Sequence, residues 1–362
     1  MKRINLSIRT SLLALIAFAC EEGIDPIQPL EPDADTTPPT VVIHYPGDGV
    51  LIRVREDVTP LKIEVEAKDD IEIGQITLQL DGTTITEFTD FKDYRHAVES
   101  FVYPNLTNGS HSLTVEVADL SGKTTKASST FEKVPPYSPR TNEVFYMPFD
   151  GDYLELVSIT EATKSGTPSF SAGKTRQAYA GAPDAYLTFK TSDMITALNA
   201  EFTASFRYKP NGSPDRSGIL TISPDDEGKA SNMKNNRTSG IRLFREGDAT
   251  NQTIKLNVGD GTADSWFDGG ANASFNPATT GWMHVAFTIS PKECTVYFDG
   301  EIVCQGASPG VSWAGCDLIS IASGAPRFTE WGHFSDNSLY DELRFFDKAL
   351  SQQEIKDLMN EK

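Results

Sequence analysis

Basic residues are scarce in this chain: 32 Lys and Arg stand against 51 Asp and Glu over 362 residues, a formal net charge of −19. With no basic stripe to displace counterions from a phosphate backbone, nucleic acid is excluded as a partner. Cysteine is nearly absent, with four in all, and no CxxC or Cys/His spacing offers a zinc site. The five histidines (His44, His96, His111, His284, His333) are dispersed, and no Gly-x-Ser-x-Gly or Cys–His arrangement marks a nucleophile. Long apolar runs are also missing. The one near the start, Leu12 to Ala19, is shorter than the roughly 20 residues a spanning helix requires.

That short run has a purpose when its flanks are included. Lys2, Arg3 and Arg9 precede it, small residues close it, and Cys20, Glu21 and Glu22 follow. Basic, apolar and small-residue regions in this order are the layout of a secretory signal. With a cysteine at the cleavage point, residues 1–19 resemble a bacterial lipoprotein signal peptide, although Phe18 departs from the usual small residue of that motif. The resemblance implies an acylated Cys20 carrying a diacylglycerol and acyl lipid at the start of the mature chain. The two acids behind it resemble the export tag of Gram-negative lipoproteins that reach the outer face of the outer membrane. Cleavage removes three positive charges and moves the net charge from −19 to −22. Residues 20–39, rich in Pro and acids, read as a tether that reaches on the order of 60 Å at ~3.1 Å per polyproline residue.

Residues 40–134 alternate apolar and polar with period two. Leu61, Ile63, Val65 and Ala67 interleave with Lys62, Glu64 and Glu66; Ile76, Leu78 and Leu80 interleave with Thr77 and Gln79 before an Asp81-Gly82 turn. Short alternating strands with Gly/Asp turns predict a β-sandwich. The stretch from Gly109 to Lys123 resembles the last hairpin of bacterial immunoglobulin-like domains, which implies a spacer. Pro135-Pro136-Tyr137-Ser138-Pro139 marks a stiff linker over 135–140.

Residues 141–362 are again strand-dominated and end in one predicted helix, announced by the capping box Ser351-x-x-Glu354 and the apolar positions Ile355, Leu358 and Met359. Six segments in order (Pro148–Leu154, Gly181–Leu187, Phe202–Asn211, Gly281–Phe287, Val296–Gly300, Tyr340–Ser351) resemble the laminin-G-like, pentraxin or concanavalin A-like jelly roll. The expected fold class is therefore all-β: an immunoglobulin-like sandwich, then this jelly roll. The Asp299-Gly300 turn predicts a two-residue hairpin that sets Cys294 opposite Gln305 and Cys304 opposite Thr295, on opposite sheet faces. A Cys304–Cys316 disulfide and buried free thiols both remain open readings.

The jelly-roll resemblance implies a structural calcium ion held by Asp150, Asp152 and Asp341, hard oxygen ligands at the opening and closing strands, with loop carbonyls near Gly181. It also implies sugar binding. Trp266, Phe267, Trp313 and Trp331 sit in turn-rich polar surroundings, where rings are available to stack on sugars; Trp282, in Gly-Trp-x-His-Val, is expected in the core. Arg207, Arg242 and Phe244 are expected to line the inner sheet; Arg207 stands where the family commonly has Trp, a charge in place of a ring that points to an acidic or hydroxyl-rich ligand. The paired-acid signature of the family's glycosidases is absent. The expectation is a non-catalytic, lipid-anchored surface protein that captures polysaccharide or glycoconjugate, in an architecture that resembles accessories of SusC/SusD-type transporters. A protein-binding adhesive role is the alternative, and a hydrolase or lyase a third.

Overall fold

A computed structural model describes residues 35–193 and 200–361. Cys20 and the expected signal peptide lie outside the described residues. No helix among the described residues is long and apolar enough to cross a membrane. The described residues divide into two compact units: Val58–Lys133 with residues 35–51, and Ile52–Asp57 with the described residues from Val134 onward.

The first unit is a sandwich of two antiparallel sheets. One holds Thr40–Tyr45, Val58–Lys68 and His96–Thr107; the other runs in the order Leu51–Ile52, Thr124–Lys133, Gly109–Asp119, Ile73–Leu80, Thr83–Phe88. Side chains alternate across a pleat, so Leu61, Ile63, Val65 and Ala67 go to the core while Lys62, Glu64 and Glu66 stay out. Ile76, Leu78, Leu80, Leu113, Val115 and Val117 are buried in the same way. Asp81 and Gly82 both have positive φ, 50° and 79°, as a tight primed hairpin turn demands.

The second unit stacks two larger antiparallel sheets. The first orders Thr163–Ser165, Tyr186–Lys190, Leu318–Ile321, Arg216–Ile222, Ser239–Gly247, Gln252–Asp260 and Asp264–Asp268. The second orders Ser169–Ala172, Gln177–Ala180, Leu339–Phe346, Phe202–Lys209, Met283–Ile289, Glu293–Phe298 and Glu301–Ala307, with Glu143–Met147 also paired to Leu339–Phe346. Ile241, Leu243, Ile254, Leu256 and Val258 from the first sheet meet Phe202, Phe206, Val285, Phe287 and Phe345 from the second in one apolar cluster. Inside it sits a polar knot. Arg245 pairs with Asp336 at 2.8 Å, both side chains wholly buried, and the Tyr208 and Tyr340 hydroxyls each donate to Asp336 at 2.6 Å. Burial works against the Asp336 carboxylate, but Arg245 and the two hydroxyls outweigh it and hold the carboxyl below its ordinary range.

The hairpin at Asp299 and Gly300 turns with φ of 48° and 76°. Next to the turn the expected register holds, Phe298 opposite Glu301 and Tyr297 opposite Ile302. A bulge then shifts it by one, so Val296 faces Cys304 and Cys294 faces Gly306. The expected pairing is thereby corrected: Cys304 falls on the same face as Cys294, because one unpaired residue flips all that follow. Cys294, Cys304 and Cys316 are free thiols. Burial pushes the Cys316 thiol up to about 12 and raises the Cys294 thiol well above its ordinary range, so neither is a ready nucleophile. The helix Gln352–Asn360 carries the capping box predicted from Ser351 and Glu354, and buries Ile355 with Leu350, Phe346, Tyr297 and Ala286.

Candidate functional site

The outer face of the first sheet has an unusual covering. Strand alternation sends Ile241, Leu243 and Arg245 inward and leaves Phe244 and Glu246 outward; on the neighbouring strand Ile254 and Leu256 go in and Lys255 comes out. Register then lines up Phe244, Lys255 and Asp268 across three strands, and sets Trp266 opposite Asn257. The fourth side comes from the crossing segment Thr329–Phe334. It is tied down where Gly324 donates to the His333 carbonyl at 2.9 Å. A Cβ on Gly324 would lie 2.2 Å from that carbonyl oxygen and 2.1 Å from that of Phe328, so only glycine permits the approach.

These elements enclose a cleft of about 460 Å³, walled by Trp266 and Trp331 and floored by Phe244, Glu246, Lys255, Asp268 and Arg216. Trp266 is 43% exposed and Trp331 39%, with ring centroids 6.4 Å apart and planes tilted 44°. Their inner edges are fixed: Phe244 meets Trp266 edge-on at 5.9 Å, and Phe328 does the same for Trp331 at 5.9 Å. The Arg237 guanidinium lies 5.3 Å from both indole centroids. Two large rings held rigid yet half open are poor core packing and good stacking platforms.

Polar groups fill the floor. Lys255 Nζ is 3.0 Å from Glu246 and 2.9 Å from Asp268; Arg216 is 3.5 Å from Glu246 and donates to the Trp331 carbonyl at 2.9 Å. Burial acts to raise both carboxyls, but Lys255 outweighs it, so Glu246 and Asp268 both sit below their ordinary range. Under the floor lies His333, stacked on Phe328 at 4.8 Å and wholly buried. Its Nδ1 has no partner and its Nε2 lies 3.5 Å from Glu246 Oε2 without a well-formed hydrogen bond. Burial outweighs that carboxylate and depresses the pKa to about 4, so the imidazole is neutral at physiological pH.

Of the residues singled out in the sequence, Trp266 and Trp331 come together here. Phe267 turns into the core, as its adjacency to Trp266 on one strand requires. Trp313 packs edge-on against Phe202 at 5.1 Å, away from the cleft. Arg242 shares the outer face but is wholly buried, bonded to Asn257 at 2.8 Å and to the Ser239 carbonyl. Arg207 belongs to the second sheet and donates to the Met359 carbonyl in the terminal helix. Trp282, expected in the core, is half-buried. Arg216, Arg237, Glu246, Lys255 and Asp268 were not singled out; the alternation of Phe244 with Glu246 was the available signal, but it does not disclose which residues the next strand sets beside them.

The three acids of the expected calcium site have different partners, with Asp150 acting on both of the others. Asp152 is committed to Arg53 at 2.6 Å. Asp341 Oδ2 accepts the Lys174 and Thr175 amides at 2.7 and 2.9 Å, whereas its Oδ1 is buried without a partner. Burial raises the Asp341 carboxyl to about 7, with Glu342 and Asp150 adding to the rise. Asp150 accepts from the Gln177 amide at 3.2 Å. Gly181 lies elsewhere, packed on the Asp336 carbonyl. Among the described residues no three His, Cys, Asp or Glu side chains gather as a ready-made metal site.

Comparison with known proteins agrees with this architecture. Residues 180–356 match the profile of the concanavalin A-like lectin/glucanase superfamily, of laminin G type, and residues 39–115 match the bacterial Ig domain. The chain thus carries an Ig-like domain followed by a concanavalin-like jelly roll. No curated protein matches the sequence. Among solved structures, domain 4 of a GH43 extracellular arabinanase from Geobacillus stearothermophilus, in complex with arabinotriose, is 18% identical, with 60% of this chain and 98% of that one covered and a TM-score of 0.46. The receptor-binding domain of a botulinum neurotoxin C/D mosaic serotype is 12% identical over 60% of this chain and 51% of that one, with a TM-score of 0.42. The binding domain of Paraclostridial Mosquitocidal Protein 1 is 14% identical over 61% and 52%, with a TM-score of 0.44.

Proposed function

We propose that the jelly roll is a non-catalytic glycan-binding module, displayed on the outer membrane through an acylated Cys20 and the 20–39 tether, and serving a SusC/SusD-type uptake system. The observation that carries the binding reading is the pair of half-exposed indoles, Trp266 and Trp331, flanking a cleft floored with charged hydrogen-bonding groups. Rings of this kind stack on the CH faces of sugars, while Lys255, Arg216, Glu246 and Asp268 are placed to take hydroxyls. A glycosidase needs one carboxylic acid kept protonated near neutral pH. Glu246 and Asp268 instead share one ammonium and both titrate low, which supports binding without cleavage. Retention on polysaccharide affinity gels, with no release of reducing ends or unsaturated sugars, tests the reading. Placement is tested by metabolic labelling: radiolabelled palmitate should appear in the mature chain and vanish from a Cys20→Ala variant, and an unlabelled wild type would remove the anchor.

A structural calcium ion belongs to the same proposal, narrowed by the geometry to Asp150 and Asp341 with nearby backbone carbonyls. The orphaned, buried Asp341 Oδ1 beside a second acid fits a hard cation. Asp152, bound at 2.6 Å by the largely buried Arg53 side chain, does not, whereas Asp150 meets only the exposed Arg176 at 3.6 Å. The pH dependence follows from the raised carboxyl. Between the ordinary value near 3.8 and about 7, the folded chain keeps a proton that the unfolded chain releases, so metal-free stability falls as pH rises through that window. A melting scan in chelator should show this fall, added calcium should cancel it, and Asp341→Asn should abolish both responses. A midpoint indifferent to chelator at pH 8 would remove the metal.

A further inference from the structure

The cleft between Trp266 and Trp331 carries its own charge balance. Lys255 is held between Glu246 and Asp268, Arg216 lies 3.5 Å from Glu246, and Arg237 lies 3.7 Å from Asp264. Each cation that reaches the cleft therefore already has a carboxylate within 4 Å. A carboxylate or sulfate entering on a sugar would have to displace one of these partners, or lie beside Glu246 and Asp268 in a half-dehydrated site where like charges repel strongly. The field of a chain at −19 opposes a polyanion before it arrives. A hydroxyl faces neither obstacle. It donates and accepts at once, and a Lys–carboxylate or Arg–carboxylate pair offers both partners side by side.

We infer that the cleft selects uncharged glycans and rejects those bearing uronate or sulfate. This rests on the reading of the cleft as a glycan site and goes further by naming the class. It also moves the expectation of an acidic ligand away from Arg207, which stands on the other sheet.

The test is affinity electrophoresis of the whole mature protein through two sets of gels: neutral galactomannan, xylan, arabinan and β-glucan, and acidic polygalacturonate, alginate and chondroitin sulfate. Retention on one or more neutral gels, equal at low and high salt, with free passage through every acidic gel, is the expected result. Retention on an acidic gel that weakens with salt and is lost in Trp266→Ala would overturn the selectivity while leaving a glycan site in place. Passage through all gels would overturn the glycan reading itself, and the inference with it. A Glu246→Gln/Asp268→Asn double variant frees Lys255. With an unchanged melting midpoint to show that it is folded, it should gain roughly tenfold in affinity for acidic gels, and a folded variant without that gain would also contradict the inference.

Discussion

Alanine at Trp266 or at Trp331 should each weaken polysaccharide binding by roughly 30-fold or more, the effect of losing about 2 kcal/mol at a tryptophan hot spot. Both rings are about two-fifths exposed, so the same changes should move the unfolding midpoint little. Separating the two readouts is the point of the experiment. Trp313→Ala should do the reverse: its ring packs on Phe202 and the core, so stability should drop while binding to the cleft persists. Phenylalanine at 266 should retain part of the affinity, because a smaller ring still stacks and the edge contact with Phe244 survives in part. Equal loss of binding and folding in the tryptophan variants would assign the rings to packing.

Asp336→Ala should cost about 3–5 kcal/mol of folding stability, the penalty for stranding a buried cation. Arg245 would be left wholly buried without a counter-charge, keeping only its bond to the Gln252 amide oxygen. The Tyr340 hydroxyl would lose its acceptor, and Tyr208 would keep only the bond it accepts from Ser338. A lower denaturant midpoint at unchanged slope measures the loss. Arg245→Met combined with Asp336→Leu should recover much of it, since two apolar groups need no mutual charge and can be as stable as the pair they replace. The consequence reaches the cleft. Arg245 anchors the strand that presents Phe244 and Glu246 on its outer side, so the single variant should also weaken glycan binding beyond its effect on folding. An unaltered midpoint for Asp336→Ala would contradict the knot's structural role.

What could be read from the sequence was whatever depends on local period and turn chemistry. Alternation placed Leu61, Ile63 and Val65 inward, Asp81-Gly82 and Asp299-Gly300 announced their turns, and Ser351 with Glu354 announced the helix. The six jelly-roll segments carried the fold. The site was legible only in part, since Trp266 and Trp331 lie 65 positions apart and meet only because a loop crosses the sheet. Phe267 shows the limit in miniature: composition groups it with Trp266, and the pleat sends the two to opposite sides. The bulge at Cys304 shows it again, because an extra residue in a strand leaves no local signature yet reverses every face after it. Lys255 and Asp268 are ordinary surface charges until register sets them opposite each other.

The central claim is that sugar enters between two particular rings, and the chain has four tryptophans to distinguish. Each carries one indole N–H, so ¹⁵N-resolved spectra of those four groups during titration with the best-retained oligosaccharide report directly. The resonances of Trp266 and Trp331 should shift together and saturate at one affinity, while those of Trp282 and Trp313 stay in place. Saturable binding that moves Trp313 or Trp282 and leaves Trp266 and Trp331 unshifted would contradict the account.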